Sequence, residues 1–143
     1  MKPLSIGALS RAANVKIPTI RYYESIGLMP EPVRTSSNRR TYGREHIDRL
    51  RFIRHGRDLG FTVDDVRALL ELSAKPQQSC HLADSIVAKN IADIDRRIAA
   101  LGQLRAELQR MFDECKHGRV AECRVIEILA DHEICLQDEH APV

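Results

Sequence analysis

Tryptophan is absent from this sequence, and only 4% of its 143 residues are aromatic. The core must therefore be largely aliphatic, which favours a helical protein over a β-sandwich. Long apolar runs are also missing, so we predict neither a secretion signal nor a membrane span and expect a cytoplasmic protein. Because thiols stay reduced in that compartment, the four cysteines indicate metal or redox chemistry rather than a disulfide framework.

The net charge of +2 is unevenly divided along the chain. Residues 1–72 carry 13 Lys and Arg against 8 Asp and Glu, whereas residues 73–143 carry 9 against 12. Seven arginines fall within the segment 39–57. Arginine concentrated in one half is what a phosphate-binding surface requires, although a charge run is equally typical of a solvated face.

Capping residues and apolar spacing predict four helices and a hairpin in the first half. Ser5 and Thr62 are suited to begin helices, and Gly27 and Gly60 to end them. The first two helices, joined by a tight turn, form a helix-turn-helix unit, and the hairpin that follows is a wing. The predicted elements are helices at 6–13 and 17–28, a hairpin at 30–43, and helices at 44–60 and 62–72.

The second half is dominated by one long predicted helix, which contains no proline from Leu82 to Phe112. Its apolar residues repeat with the spacing of a coiled-coil seam for about four heptads, broken only at Arg105. A seam of this length usually pairs with a second copy of itself, and a helix packed on its own domain is the alternative. The seam residues are Val87, Ile91, Ile94, Ile98, Leu101, Leu108 and Phe112.

Three cysteines flank this helix, with Cys80 before it and Cys115 and Cys123 after it. At about 1.5 Å per residue, the helix separates Cys80 from Cys115 of the same chain by roughly 50 Å. In an antiparallel dimer that crosses near Ile98, Cys80 of one chain lies beside Cys115 of the other, and Gly118 lets the loop return Cys123 to the same place. Three thiolates suit a soft or borderline metal ion, and three small buried side chains are the alternative.

We therefore predict a mainly α protein. An N-terminal winged helix-turn-helix domain is followed by a long antiparallel coiled-coil dimerisation helix and a short C-terminal metal-binding loop. The predicted boundaries are 1–73 for the DNA-binding domain, 74–79 for the linker, 80–114 for the dimerisation helix, and 115–143 for the loop and tail.

The segments TIRYYESIGL, VRTSSNRRTYGREHIDRLRFIRHGRDLGF and TVDDVRALL resemble the DNA-binding half of the MerR family of mercury-resistance regulators. The segment PQQSC, the long helix and the C-x7-C loop resemble its branch that senses zinc, cadmium and lead. The resemblance runs from about Ile6 to Cys123. It implies an antiparallel homodimer on promoter DNA, which distorts that DNA on binding a divalent ion so that RNA polymerase can use the promoter.

The resemblance also assigns residues to these roles. The residue before the wing arginine is usually aromatic in the family, whereas here it is Arg39, which keeps a cation beside the phosphate. The implied contacts to the DNA backbone are Arg21, Tyr23, Arg40, Arg54 and Arg57. The implied metal ligands are Cys80, Cys115 and Cys123.

The third cysteine also bears on which metal is bound. In the family branch that senses monovalent copper, silver and gold, a serine stands at the position of Cys80 and two cysteines suffice. A third thiolate favours a divalent ion, and we expect zinc, with cadmium, lead or mercury as alternatives. Further candidate ligands are His117 in the loop, His81 beside Cys80, and Cys135 with His132 and His140 in the tail.

Two other functions remain open from the sequence. One is a regulator of the same fold that senses thiol-modifying stress, although such a switch needs only one cysteine. The other is a metal-binding dimer without a regulatory role, against which the basic winged half argues. Metal stoichiometry per dimer and salt-dependent binding to promoter DNA distinguish the three. No catalytic constellation is evident, so we do not expect an enzyme.

Overall fold

The computed structural model describes residues 2–115 and 118–131, and within them it is mainly helical with one two-stranded sheet. The predicted mainly α fold, with a small wing and a long second-half helix, is confirmed. Two compact units divide the chain, Met1–Ile86 and Val87–Val143. The elements of the first unit are α1 (Ile6–Ala13), α2 (Ile17–Ser25), β1 (Val33–Arg34), β2 (Arg40–Thr41), α3 (Arg44–Asp58) and α4 (Val63–Ser73).

Local capping sets the ends of these helices. The Ser5 hydroxyl accepts the Ala8 N–H at 3.1 Å, and the Thr62 hydroxyl accepts the Asp65 N–H at 3.1 Å, so both predicted N-caps are confirmed. Helix α2 ends at Ser25, three residues before its predicted end at Leu28. The reason is that Gly27, with φ of 73°, already reverses the chain.

The wing is an antiparallel hairpin in which Val33 pairs with Thr41 and Arg34 with Arg40. Its turn is closed by a Thr35 N–H that donates to the Arg39 carbonyl at 2.8 Å. An isolated bridge joins Leu4 to Tyr42, with N–H to O distances of 2.8 and 2.9 Å in the two directions. The N-terminal segment therefore lies beside the base of the wing and supports it.

One aliphatic core holds the first unit together. It takes side chains from α1, α2, the wing, α3 and α4, and α3 contributes Ile47, Leu50 and Ile53, which are all buried. The fully buried side chains in this core are Leu9, Ile20, Leu28, Met29, Tyr42, Leu50, Ile53 and Val66.

Helix α5 (His81–Glu114) is one continuous helix of 34 residues. The predicted linker 74–79 lies between the end of α4 at Ser73 and the start of α5 at His81. The division into functional domains stays a prediction. Every residue of the seam defined above is exposed in the single chain, by between 43% and 63%. Apolar side chains in one exposed row are typical of an interface, which favours pairing with a second copy over packing on the same domain.

After α5 the chain forms a short 3-10 helix, Val120–Glu122, and then α6 (Arg124–Ala130). Arg124 forms an ion pair with Glu114, so the start of α6 lies beside the end of α5. Met111 and Ile128 are buried in this part of the second unit. Among the residues described, no helix combines the length and the apolar content needed to cross a lipid bilayer.

Candidate functional site

A basic cleft lies between α2 and the wing. Arg21 from α2 and Arg34 and Arg40 from the wing strands line this cleft, whose volume is about 260 Å³. Two of the predicted DNA-contacting residues, Arg21 and Arg40, are thus brought together, and the third arginine was not predicted. Arg39, also predicted, is exposed next to Arg40. Guanidinium groups gathered on a helix and a hairpin suit a phosphate backbone.

Glu24 links the wing to α2 inside this cleft. One of its carboxylate oxygens accepts the Tyr42 hydroxyl at 2.6 Å, and the other lies 3.6 Å from Nη1 of Arg40. The Glu24 side chain is only 9% exposed. Burial, together with the bond to Glu24, raises the pKa of Tyr42 to about 12. Sequence reasoning missed Glu24, although a lone carboxylate in a basic segment was the available signal.

The arginines of α3 serve two different purposes. Arg49 donates to the Leu28 carbonyl, in the segment after α2, at 2.8 Å, and Arg51 donates to the Ala12 carbonyl, at the end of α1, at 3.1 Å. The two predicted DNA contacts on this helix, Arg54 and Arg57, are exposed. Arg54 lies 3.9 Å from Asp58, and Arg57 donates to the Phe61 carbonyl. Part of the basic cluster therefore also stabilises the fold.

Tyr23 lies mostly in the core. It is 8% exposed, whereas the adjacent Tyr22 is 53% exposed, with ring centroids 5.9 Å apart. Any contact of Tyr23 with DNA must come from that small exposed part, and its role stays a prediction. Tyr22 is the aromatic ring that α2 presents to solvent.

Cys115 and Cys123 lie side by side. Cys115 follows α5 directly, Cys123 precedes α6, and Cys115 is close enough to Cys123 to lower the pKa of its thiol. The backbone N–H groups of Ile126 and Val125, with the Cys115 thiol, lower the pKa of Cys123 below the ordinary value for a thiol. Cys123 thus lies near Cys115, as the predicted return requires, and their role as metal ligands stays a prediction. Two adjacent thiols, one biased towards thiolate, fit a soft or borderline metal ion.

Charged side chains surround this thiol pair. Glu114 lies 2.8 Å from Arg124 and 3.1 Å from Arg110, and Arg110 lies 2.7 Å from Glu107. Hydrogen bonds from Arg124 first and Arg110 second lower the pKa of Glu114. The spacing of Arg110 and Glu114 on one helix face was visible in the sequence. The pairing of Glu114 with Arg124 across the loop was not.

Cys80 and His81 are the other predicted ligands that the structure describes. Cys80 is exposed, with its sulfur 3.9 Å from a carboxylate oxygen of Asp84, and His81 is exposed beside it. In residues 2–115 and 118–131, no three His, Cys, Asp or Glu side chains form a group that could hold a metal ion. The remaining candidates, His117 and Cys135 with His132 and His140, lie outside the described residues.

Two family models match the chain. A model described as "MerR HTH family regulatory protein" matches residues 4–73, and one described as "MerR, DNA binding" matches residues 47–111. Among curated proteins, the HTH-type transcriptional regulator ZntR of Escherichia coli strain K12 is 38% identical over 128 residues. That match covers 87% of this chain and 90% of the relative.

Two solved structures are similar over nearly their whole length. The transcription regulator PbrR691 from Ralstonia metallidurans CH34, in complex with lead(II), has a TM-score of 0.78 at 35% identity, covering 88% of this chain and 98% of that one. The transcriptional regulator MerR from Bacillus megaterium MB1, in complex with mercury(II), has a TM-score of 0.66 at 31% identity, covering 90% and 100%.

Proposed function

Because the chain belongs to the MerR family of transcriptional regulators, we propose that it is a metal-responsive regulator that binds promoter DNA as a homodimer. The family resemblance predicted from the residues is confirmed. Since this family consists of transcriptional regulators, the expectation of a protein that is not an enzyme is confirmed too. Its site of action is the compartment that holds the promoter, the cytoplasm.

The DNA-binding role is supported by the basic cleft between α2 and the wing. In this proposal Arg21 and Arg40, which line one cleft, contact phosphates of the DNA backbone, and Arg39 extends the same surface. The exposed arginines of α3, Arg54 and Arg57, add contacts that carry charge but no base information. The partner is therefore double-stranded promoter DNA, bound largely through its backbone.

The observation that carries the metal-sensing role is the juxtaposition of Cys115 and Cys123, whose neighbours Glu114 and Arg124 form an ion pair at 2.8 Å. The third ligand in our proposal is Cys80 of the partner subunit, delivered by antiparallel pairing of α5 along its exposed seam. A bound divalent ion would link, through thiolates of both chains, the loop of one chain to the N-terminal unit of the other. Each dimer then contains two equivalent sites.

We propose zinc as the ion, with cadmium, lead and mercury as competitors for the same thiolates. One related regulator is ZntR, and the two similar structures hold lead(II) and mercury(II). Sites of this family therefore take large, thiophilic divalent ions as well. RNA polymerase is the last partner in the proposal, because distortion of the DNA between the two wings would bring the promoter elements into register for it.

The decisive experiment is transcription in vitro from the protein's own promoter with each of the four ions at buffered free concentrations. Transcript that rises with a divalent ion, at two ions per dimer, supports the proposal. Transcript that rises with a nitrosothiol or aldehyde instead, with no metal bound, would support the thiol-stress alternative. Metal binding with no salt-dependent affinity for promoter DNA would leave only a metal-binding dimer.

We expect Arg40→Ala to weaken promoter binding by roughly tenfold, since a charge-assisted hydrogen bond contributes about 1.5 kcal/mol or more. The slope of log affinity against log salt should become less steep by about 0.9, the value for one lost phosphate contact. Fluorescence anisotropy across a salt series measures both. Arg97→Ala, an exposed arginine on α5, is the matched control and should change neither. An unchanged slope for Arg40→Ala would remove Arg40 from the interface.

A further inference from the structure

The ion pair between Glu114 and Arg124 closes the loop that carries the two thiols. Its Nε to Oε2 distance is 2.8 Å. Glu114 immediately precedes Cys115, and Arg124 immediately follows Cys123. This ion pair, called the clamp below, therefore joins the two ends of the loop. Each thiol lies one residue inside it.

This clamp is anchored at one end. Glu114 also binds Arg110, one helical turn earlier, at 3.1 Å, and Arg110 binds Glu107 at 2.7 Å. The side chains of Arg110 and Glu107 are only 17% and 5% exposed. An isolated surface ion pair contributes little, because solvent screens it and both side chains lose freedom. Here the carboxylate is already held by a half-buried arginine, so Arg124 meets a partner with a fixed position.

Holding the loop ends together matters for any ion that needs both thiols. Closing a flexible loop costs conformational entropy, and an ion that must close it loses that free energy from its affinity. A loop that is already closed binds more tightly. Residues that orient metal ligands without touching the metal typically change metal affinity by 10–100-fold.

We propose that Glu114 and Arg124 are positioning residues that hold Cys115 and Cys123 together before a divalent ion binds. The proposal rests on the metal-sensing function proposed above and adds a determinant of affinity to it. Neither residue ligates the ion. The clamp acts through loop closure, and its effect should depend on the pair and not on either charge alone.

The test uses the full-length dimer and Cd²⁺ alone, followed by the ultraviolet absorption of thiolate-bound cadmium during competition with a chelator. We expect Arg124→Gln and Glu114→Gln each to lower Cd²⁺ affinity about tenfold, at the lower end of the range for such residues because the pair is partly exposed. The control is Glu127→Gln. It removes the other carboxylate bound to Arg124, at 3.1 Å, but that pair lies within α6 and does not span the loop, so affinity should stay unchanged.

The sign of the two single effects separates the clamp from a simple field effect. If only the local charge mattered, the two substitutions would change Cd²⁺ affinity in opposite directions, because one removes a cation and the other an anion. The clamp requires both to fall, and requires the double variant to be no weaker than the weaker single variant. Opposite signs, or fully additive losses, would overturn the proposal.

Salt gives a second readout that a purely structural role of these residues would not change. Screening at 1 M ionic strength shortens the range of charge interactions to about 3 Å. In potassium nitrate, the gap between wild-type and double-variant affinities should narrow, because screening weakens even a pair at 2.8 Å, and a gap that is undiminished at high salt would contradict the clamp. Arg124→Lys, which keeps the charge, should retain most of the affinity even if the Gln variants fold poorly.

A wild-type dimer that binds no Cd²⁺ would overturn the metal-sensing function itself. Wild-type and variant affinities that coincide would overturn only the clamp.

Discussion

Cys115→Ser is expected to abolish tight binding of divalent ions while leaving the dimer and its affinity for promoter DNA nearly unchanged. Serine is close to cysteine in size, but its hydroxyl is a poor ligand for a soft or borderline ion. The substitution therefore leaves Cys123 without its second thiolate. Cys80→Ser should fail in the same way, because each proposed site takes its third thiolate from Cys80 of the partner subunit. Stoichiometry per dimer, measured with Zn²⁺ and with Cd²⁺, tests both variants.

A mixed dimer makes this test specific to the arrangement across two chains. A Cys80→Ser chain paired with a Cys115→Ser chain has one site that lacks both thiolates and one site that is intact. It should bind one equivalent of Cd²⁺ tightly, whereas either homodimer of the variants binds none tightly. If all three ligands came from one chain, both sites of the mixed dimer would be damaged. A mixed dimer without any tight site would therefore rule out sharing between chains.

Ile98→Asp is expected to dissociate the dimer. Ile98 is 62% exposed in the single chain and lies in the middle of the seam, where an antiparallel pair brings it close to its own copy. Two buried, facing carboxylates should cost at least about 3 kcal/mol, which raises the dissociation constant of the dimer more than about a hundredfold. Sedimentation velocity at micromolar concentration measures the change.

The control for this variant is Lys89→Asp, which places the same carboxylate on the opposite side of the helix and should leave the dimer intact. An Ile98→Asp protein that still sediments as a dimer would show that the seam is not the interface. The monomer formed by Ile98→Asp should also bind no divalent ion tightly, since each site would lack its thiolate from the other chain. These two measurements together connect the seam to the metal site.

Much of the fold was already determined by residues close together in the sequence. Ser5 and Thr62 cap helices within three residues of themselves, and Gly27 and Gly60 adopt the positive φ that ends a helix. The seam was equally visible, because helical periodicity alone places its residues on one face. The residues that implied the MerR family were local as well, being short contiguous segments.

The tertiary structure decided which of several chemically equal residues has which role. From sequence alone, Arg49 and Arg54 are equivalent cations on one helix, but Arg49 binds the Leu28 carbonyl after α2 whereas Arg54 is exposed beside Asp58. Tyr22 and Tyr23 are adjacent, yet packing buries the second and exposes the first.

The same holds for the two carboxylates that organise the proposed sites. Glu24 reaches the wing, and Glu114 reaches Arg124, only because a hairpin and a loop return the chain to a helix it has already left. Capping and periodicity depend on residues within about one helical turn, so a sequence states them directly. Contacts made after a chain reversal depend on the backbone dihedral angles of every intervening residue, and only the folded molecule determines those angles.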